Sequence, residues 1–324
     1  MLFQEGVEEF LLDCRVRNLS KRTIETYQSQ IRVFSSYIFS EFELDKLEEI
    51  KKPHVKSFIL WMKEERSANY INQILKALRT FYKYLLVEEY IDRNFMLDIQ
   101  YLKSEKRLIN TFNDQEVAAM ISFYDHSGFV NQRNRLIIEI MADCGLRAEE
   151  VRCLSNDNFK GTFFQLMGKG RKERVVPISQ YLQLSIKKYQ KTKRGYFNNL
   201  RNYREVDDYL IVSKSGKKLT NNVLLEKIVK DAANGIGVRE EVKRRSCHSL
   251  RHYYAQKLLK SGVNLYTISR LLGHSNIKTT QTYLNSLSDA DILENTKVTS
   301  LERLLREGRT IEVLGINNQD ILDK

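Results

Sequence analysis

The chain has 324 residues, of which 42% are hydrophobic, and this predicts a globular protein of two domains or one large one. Its net charge is +12, and residues 1–100 carry 15 basic and 16 acidic side chains, so the positive excess lies in the remainder. Such a balance favours a polyanion partner, most often nucleic acid, over a merely soluble basic surface. No run approaches the ~18 apolar residues of a membrane span, and the acidic start lacks signal-peptide features, so a cytoplasmic protein without membrane contact is expected.

The first 100 residues predict a compact helical bundle. Apolar residues recur at helical spacing in four successive segments. Ser20 is expected to cap the second helix, and Pro53 suits the first turn of the third. The polar faces carry basic residues, each of which could contact a phosphate or simply be solvated. They are Lys21, Arg22, Arg32, Lys76, Arg79 and Lys83.

Residues 101–112 lack clear periodicity and predict an interdomain linker. Asn113 is expected to begin a new helix. Further along, Gly145 is a natural C-terminal cap for an apolar helix, and Arg147 lies in the turn that follows. The alternative for Arg147 is a surface arginine that pairs with one of the two glutamates just after it.

Residues 161–167 and 173–178 predict two strands of a β-hairpin. The tight, glycine-containing turn between them holds Lys169, Arg171 and Lys172. A basic hairpin tip is either a solvated turn or a probe that reaches into a DNA groove.

Residues 187–204 hold seven basic and no acidic residues, with aromatic side chains between them. That composition suits contact with backbone phosphates, and a mobile surface loop is the alternative. A further short strand is expected at residues 209–213.

The chain then becomes charged at Arg244 and Arg245, two further candidate DNA contacts, before it reaches His248. Ser249 can cap a helix that holds Arg251 one turn inside, which leaves His248 at the front of that helix. A helix N-terminus favours negative charge because its N–H groups and dipole point at the ligand.

Asn264 is expected to cap the next helix, and Gly273 to end it. His274 follows directly in the junction beyond that glycine. Tyr283 is expected about two turns into the following helical segment.

Six of these residues could together bind and attack one phosphodiester: Arg147, Lys169, His248, Arg251, His274 and Tyr283. The arginines supply planar, bidentate donors, and the lysine can protonate a leaving oxygen. The histidines can donate hydrogen bonds or exchange protons near neutral pH. The tyrosine is a candidate nucleophile. A phenol has a pKa of about 10, and the positive charges of such a site would lower the cost of ionising it.

A metal site is not expected. His248 and His252 have the spacing of some zinc helices, but Ser249 stands where a metalloprotease needs glutamate. No two of the four cysteines have CxxC spacing, so buried free thiols are predicted. Without an acidic metal motif, the cationic side chains would do the electrostatic work that a metal does elsewhere, and no cofactor is expected.

Five motifs resemble, in order and spacing, those of the tyrosine recombinase (phage integrase) family; they lie at 144–150, 168–170, 248–252, 271–274 and 279–283. The resemblance covers roughly residues 1–290. It implies a mainly α fold, in which an N-terminal SAM-like helical bundle that binds core DNA precedes a mixed α+β catalytic domain with a small β-sheet.

The expected division is a DNA-binding domain at 1–100, a linker at 101–112, a catalytic domain at 113–290 and a tail at 291–324 for contact between protomers. Because nothing ahead of residue 3 could form an arm-binding domain, the resemblance favours a simple Xer-like or Cre-like architecture over a lambda-type integrase.

The resemblance also implies how the phosphate is held. Arg147 and Arg251 match the two family arginines on the scissile phosphate, and His274 matches the His/Trp position beside it. Glu150 falls where the family has a supporting glutamate, and His252 matches a structural histidine.

Three further positions carry the implied chemistry. Tyr283 matches the nucleophile that forms a 3′-phosphotyrosyl bond. His248 matches the position that assists proton transfer from the tyrosine, and Lys169 matches the general acid toward the 5′-hydroxyl.

The implied function is site-specific recombination of double-stranded DNA without metal or ATP. A homo-tetramer would act on a site with inverted repeats, through a Holliday junction, to integrate, excise or resolve bacterial or mobile-element DNA. Accessory or directionality proteins and association with the nucleoid would belong to that role. Two alternatives stay open from the sequence: a DNA-binding accessory protein that has lost catalysis, and a type IB topoisomerase-like enzyme.

Overall fold

The computed structural model describes residues 1–103, 110–167, 173–199, 205–274 and 276–282. Contacts divide the chain into a first unit, Met1–Arg107, and a second unit, Leu108–Lys324. Residues 104–109 of the predicted linker and the whole predicted tail, 291–324, lie outside the described residues.

The first unit is helical, as the apolar spacing predicts. Ser20 accepts a hydrogen bond from the Thr23 N–H at the start of the second helix, and Pro53 lies in the first turn of the third, so both predicted helix starts are confirmed. Aromatic side chains fill the core, and Phe10, Phe34 and Phe81 are fully buried. The helices are α1 Phe3–Val16, α2 Lys21–Phe42, α3 Lys52–Lys63 and α4 Ala68–Val87, with 3₁₀ turns at Leu47–Glu49 and Phe95–Asp98.

The second unit combines helices with one small hairpin, which confirms the predicted mixed architecture. Its elements are α5 Asp114–Phe123, α6 Phe129–Cys144, α7 Ala148–Arg152, β1 Phe163–Met167, β2 Glu173–Pro177, α8 Gln180–Asn198, α9 Val223–Gly235, α10 Cys247–Lys260, α11 Leu265–Leu272 and α12 Ile277–Gln281, with a 3₁₀ turn at Asn156–Asn158. Apolar residues of α6, α8, α9 and α10 share one core with the hairpin.

The hairpin is antiparallel, with Phe163 opposite Pro177 and Met167 opposite Glu173. Both predicted strands are therefore confirmed. Phe164 and Val176 face each other and are fully buried, so one face of the hairpin belongs to the core. The turn at 168–172 lies outside the described residues.

Two expectations about local structure are wrong, and one alternative is excluded. Helix α10 begins earlier than predicted: Ser246 is its N-cap, because the Ser249 hydroxyl lies inside the first turn and donates to the Arg244 carbonyl. Residues 187–198 belong to α8, which rules out a loop there. The segment 209–213 forms isolated bridges from Tyr209 and Val212 instead of a strand, because each bridge pairs it with a different segment.

Candidate active site

Arg147 lies in the turn between α6 and α7, as predicted. Gly145 ends α6 with a φ of 59°, a left-handed conformation that favours glycine. Arg147 is the N-cap of α7, and its N–H donates to Oε2 of Glu150 at 2.8 Å. Its Nη1 donates to Oε1 of the same carboxylate at 2.9 Å. The pairing with a neighbouring glutamate and the position in a tight turn are thus both present.

Glu150 is also held by Arg174 from the second strand of the hairpin. Arg174, on β2, donates from Nη1 to Oε1 at 2.9 Å and from Nη2 to Oε2 at 2.7 Å. Burial alone would raise the pKa of Glu150, but hydrogen bonds and positive charge from Arg174, with those of Arg147, lower it to about 2. The carboxylate is therefore ionised throughout the physiological range, and two guanidinium groups share it.

Arg251 projects from α10 into the same region and is only 2% exposed. Its Nη1 donates to the Gly145 carbonyl at 2.7 Å, and its Nη2 donates to the Leu272 carbonyl at 2.7 Å. The first bond ties Arg251 to the turn that carries Arg147. The two arginines are thus held on one framework, although 104 residues of sequence separate them.

His274 meets Arg251 at the end of α11. Nε2 of His274 lies 3.0 Å from Nη2 of Arg251, and Nδ1 lies 2.8 Å from Oγ1 of Thr280. A guanidinium can only donate, so Nε2 accepts and the ring hydrogen resides on Nδ1, which donates to Thr280. Burial, followed by the charges of Arg251 and Arg147, lowers the pKa of His274 to about 4, which keeps this ring neutral at neutral pH.

Three consecutive carbonyls at the end of α11 each accept a hydrogen bond from a different arginine. Arg174 Nε donates to the Leu271 carbonyl at 3.1 Å, Arg251 Nη2 to the Leu272 carbonyl at 2.7 Å and Arg147 Nη2 to the Gly273 carbonyl at 3.0 Å. These three bonds join β2, α10 and the α6–α7 turn to the C-terminus of one helix. The last carbonyls of a helix lack intrahelical partners and carry the negative end of its dipole, so cations are favourable there. We call Arg147, Arg174 and Arg251 the arginine cluster.

His248 and His252 lie together on α10. Their rings are 4.2 Å apart between centroids, with an angle of 71° between the planes. Partial burial, followed by the charges of Arg251 and Arg244, lowers the pKa of His248, although the residue keeps part of its surface exposed to solvent. A neutral imidazole at the start of α10 can accept a proton. His252 is more enclosed, and burial followed by the neighbouring His248 lowers its pKa to about 3.

The structure brings together four of the six predicted catalytic residues: Arg147, His248, Arg251 and His274. The predicted supporting residue Glu150 contacts the first of them. The other two, Lys169 and Tyr283, lie outside the described residues, as do Arg171 and Lys172 at the predicted hairpin tip.

The candidate DNA contacts of the first unit lie on α2 and α4. Lys21, Arg22, Arg32, Lys76 and Lys83 are exposed, which is compatible with either prediction made for them. Arg79 instead donates to the carbonyls of Met96 and Ile99 and stacks at 4.0 Å on the ring of Tyr101. These contacts give Arg79 a structural role within the first unit. In the second unit, Arg244 is exposed, and Arg245 donates to Asn234 at 2.7 Å.

Sequence reasoning missed two residues of this region, Arg174 and Thr280. Alternation along β2 could have revealed the first, because Arg174 is in phase with the fully buried Val176 while Glu173 and Val175 are exposed. Thr280 is 0% exposed at the start of the motif that ends in Tyr283, but only the fold brings it to His274.

No group of three or more His, Cys, Asp or Glu side chains in the described part of the chain is arranged to hold a metal ion. Within the same residues, no helix is both long and apolar enough to cross a membrane.

Two family models match the chain. The phage integrase family matches residues 93–289, and the N-terminal SAM-like domain of phage integrases matches residues 7–92. The chain belongs to the phage integrase family, whose members are tyrosine recombinases. The resemblance seen in the five sequence motifs is therefore confirmed, and so is the predicted SAM-like character of the helical bundle.

Named relatives point to one branch of that family. The tyrosine recombinase XerD of Listeria monocytogenes is 30% identical over 281 residues, which cover 86% of this chain and 92% of the relative. The tyrosine recombinase XerC of Pediococcus pentosaceus is 27% identical over 275 residues, which cover 82% and 88%. These similarities confirm the expected Xer-like architecture.

Solved structures share the fold. The XerH site-specific recombinase bound to its palindromic substrate in a post-cleavage complex is 22% identical, with a TM-score of 0.69 over 92% of this chain and 84% of that one. A lambda integrase dimer bound to a COC′ core site is 16% identical, with a TM-score of 0.71 over 88% and 78%. At these identities the likeness concerns the fold alone.

Proposed function

We propose that this recombinase cleaves and rejoins double-stranded DNA at a specific site, with Tyr283 as the nucleophile and a 3′-phosphotyrosyl bond as the intermediate. The observation that carries the proposal is the convergence of Arg147, Arg251 and His274 on the last residues of α11. Family membership and the motif that ends in Tyr283 supply the rest.

The electrostatics of the site favour a phosphodiester. The arginine cluster contributes three positive charges against the single carboxylate of Glu150. Arg147 has a side chain that is 43% exposed, so it can turn part of its guanidinium toward a ligand while Glu150 holds the remainder. Guanidinium groups bind non-bridging phosphate oxygens through paired hydrogen bonds and stabilise the charge that develops during attack.

In the proposed first step, the Tyr283 oxygen attacks the phosphorus, and the bond from phosphorus to the 5′ oxygen breaks. The phenol proton passes to His248, whose lowered pKa leaves the ring neutral and able to accept it. Lys169 donates a proton to the departing 5′ oxygen. A 5′-hydroxyl of a second strand then attacks the phosphotyrosine and releases the tyrosine, so the reaction needs no external energy source.

For a full recombination event we propose a homo-tetramer on two sites with inverted repeats, which exchanges strands in pairs through a Holliday junction. One structural neighbour is a lambda integrase tetramer bound to a Holliday junction, which supports this assembly by analogy of fold. The alternative of an accessory protein that has lost catalysis is less well supported, because four of the six proposed catalytic residues lie in one region of the second unit.

The test begins with the DNA. Duplexes are selected from a random-sequence library by their retention on the Tyr283→Phe variant, and each is then prepared with a nick at successive positions. The wild-type protein is expected to form a protein–DNA adduct that survives detergent and is lost after protease treatment. The Tyr283→Phe variant, which binds the same duplexes, should form none.

Two outcomes would overturn the proposal. An undiminished adduct with Tyr283→Phe would remove Tyr283 as the nucleophile. Relaxation of a supercoiled plasmid that carries two selected sites, without any exchange between the sites, would favour the topoisomerase-like alternative.

A further inference from the structure

We propose that Arg174 is a positioning residue for DNA cleavage. It holds Glu150, and through Glu150 it holds Arg147, in a fixed place relative to the end of α11, which His274 follows. The inference rests on the proposed function, since the reaction it serves is the attack by Tyr283. It extends that function to a side chain that supplies no proton and that the motifs did not single out.

The first link is the shared carboxylate. Arg174 engages both oxygens of Glu150, at 2.9 and 2.7 Å, and Arg147 engages the same two oxygens through Nη1 and its own N–H, at 2.9 and 2.8 Å. The Arg174 and Glu150 side chains are only 9% and 16% exposed, so water screens this pair little. The carboxylate cannot rotate without breaking bonds to both arginines, and the orientation of Arg147 therefore depends on Arg174.

The second link is the end of α11. Nε of Arg174 donates to the Leu271 carbonyl at 3.1 Å, while Arg147 donates to the Gly273 carbonyl two residues later. A β-carbon on Gly273 would lie 2.7 Å from Nη1 of Arg174, so the guanidinium rests directly against the backbone of this glycine. His274 is the next residue in the chain, so these contacts hold the backbone that leads directly into it.

A third observation concerns the strand itself. Arg174 pairs with Leu166 in the hairpin, whose turn holds the proposed general acid Lys169. One guanidinium thus joins the strand that leaves this turn to the phosphate-binding arginine and to the segment of His274. Within the described residues, Arg147 and the segment that leads to His274 are therefore tied to each other through Arg174.

Only arginine fits these contacts. Arg174 uses Nε, Nη1 and Nη2 in three different hydrogen bonds, which requires a planar group with several fixed donors. A lysine would keep the charge, but its single nitrogen cannot reach both Glu150 oxygens and the Leu271 carbonyl with this geometry. Arg174→Lys therefore separates positioning from charge.

The test compares Arg174→Lys with Arg239→Lys. Arg239 is a matched control, because it also donates from Nε and Nη2 to one carboxylate, Glu116, and to one carbonyl, Thr111. We expect Arg174→Lys to cleave a selected, nicked duplex about 100-fold more slowly, as small misplacements of catalytic groups do, with duplex affinity changed less than threefold. Arg239→Lys should keep its cleavage rate and lose less thermal stability, because the Arg239 side chain is 50% exposed while that of Arg174 is 9% exposed.

The pH profile supplies a readout that a purely structural role would not move. In the wild type Glu150 is ionised at every assay pH. In Arg174→Lys its burial is less fully compensated, so its pKa rises and the cleavage rate should fall further as the pH is lowered from 7 to 5. The charged groups that contact Glu150 are Arg174 from β2 and Arg147 from the α6–α7 turn.

A double variant identifies the group whose protonation lowers the cleavage rate between pH 7 and 5. In Glu150→Gln/Arg174→Lys the extra loss should disappear if Glu150 causes it, and should remain if His274 does. Persistence of the loss in the double variant would contradict the proposed route through Glu150.

A measurement without DNA distinguishes failure of this inference from failure of the proposed function. The ¹⁵N NMR signal of the Arg147 Nε–H group should report an ordered side chain in the wild type and in Arg239→Lys, and an averaged one in Arg174→Lys. An unchanged Arg147 signal, or an unchanged cleavage rate in a folded Arg174→Lys variant, would overturn the inference. Absence of an adduct with the wild type, combined with loss of Arg147 order in Arg174→Lys, would instead refute the reaction and leave the positioning contact intact.

Discussion

Replacing Gly273 by alanine should damage both the stability of the second unit and the proposed cleavage reaction. Gly273 has a φ of 65°, and an L-residue in this left-handed conformation costs about 1 to 2 kcal/mol. The added β-carbon would also lie 2.7 Å from Nη1 of Arg174 and 3.0 Å from its Cζ. The guanidinium would have to move away from the helix end.

The size of the second effect follows from what holds the guanidinium. Arg174 has two hydrogen bonds to Glu150 and one to Leu271, and loss of one charge-assisted bond costs about 1.5 to 3 kcal/mol. Together with the backbone strain, Gly273→Ala should destabilise the second unit by about 2.5 to 5 kcal/mol. At about 2 to 4 °C for each kcal/mol, the melting temperature should fall by roughly 5 to 20 °C.

Gly262→Ala is the matched control. Gly262 also has a left-handed φ, 77°, after the end of α10, but a β-carbon there would meet nothing within 4 Å. This variant should lose only the strain of about 1 to 2 kcal/mol and should cleave a selected duplex at the wild-type rate. Calorimetry and single-turnover cleavage measure the two effects. Equal melting temperatures and equal cleavage rates for the two variants would refute the reasoning.

Three other predictions concern single contacts. Ser20→Ala should lower the stability of the first unit by about 1 kcal/mol in thermal unfolding, because the Thr23 N–H loses its cap, and no change would mean that water replaces the cap fully. Thr280→Val should slow cleavage about tenfold, because it removes the hydrogen-bond acceptor for Nδ1 of His274, and losses of this size are usual for side chains that orient a functional group. If ¹⁵N chemical shifts of the imidazole show the same tautomer of His274 in both proteins, this prediction is contradicted. Finally, the second unit should become less stable as the pH falls from about 6.5 toward 4. In the folded protein the pKa of His274 is lowered to about 4 and that of His252 to about 3, so the unfolded chain binds these protons first as the pH falls. His252→Gln should flatten this dependence of the melting temperature, and an unaltered slope would exclude His252 as a contributor.

Local signals in the sequence predicted most of the fold. Gly145 and Gly273 end α6 and α11 as expected, because a left-handed residue after a helix is a property of a few neighbouring residues. The start of α10 was harder, because Ser246 and Ser249 lie three residues apart and either could cap a helix. In the structure Ser249 lies inside the first turn and donates to the Arg244 carbonyl, a contact that the pattern of apolar residues does not reveal.

The predicted site depended on motifs, and motifs list residues without their partners. The sequence identified Arg147 and Glu150 in one short stretch, and the structure brings them into contact. Arg174 escaped attention because its partners are distant in sequence, 24 residues away at Glu150 and 97 at Leu271. A contact of this kind is determined by packing of the whole second unit.

The three arginine-bonded carbonyls of α11 also bear on the entropy of DNA binding. A free arginine side chain that becomes fixed loses rotamer freedom worth about 1.5 to 2 kcal/mol. Arg147, Arg174 and Arg251 are already fixed against Leu271, Leu272 and Gly273 before any phosphate arrives, so this loss occurs when the chain folds. The backbone carbonyls of residues 271–273 thus keep the side chains of the arginine cluster ordered in the absence of DNA, so that binding DNA does not have to order them again.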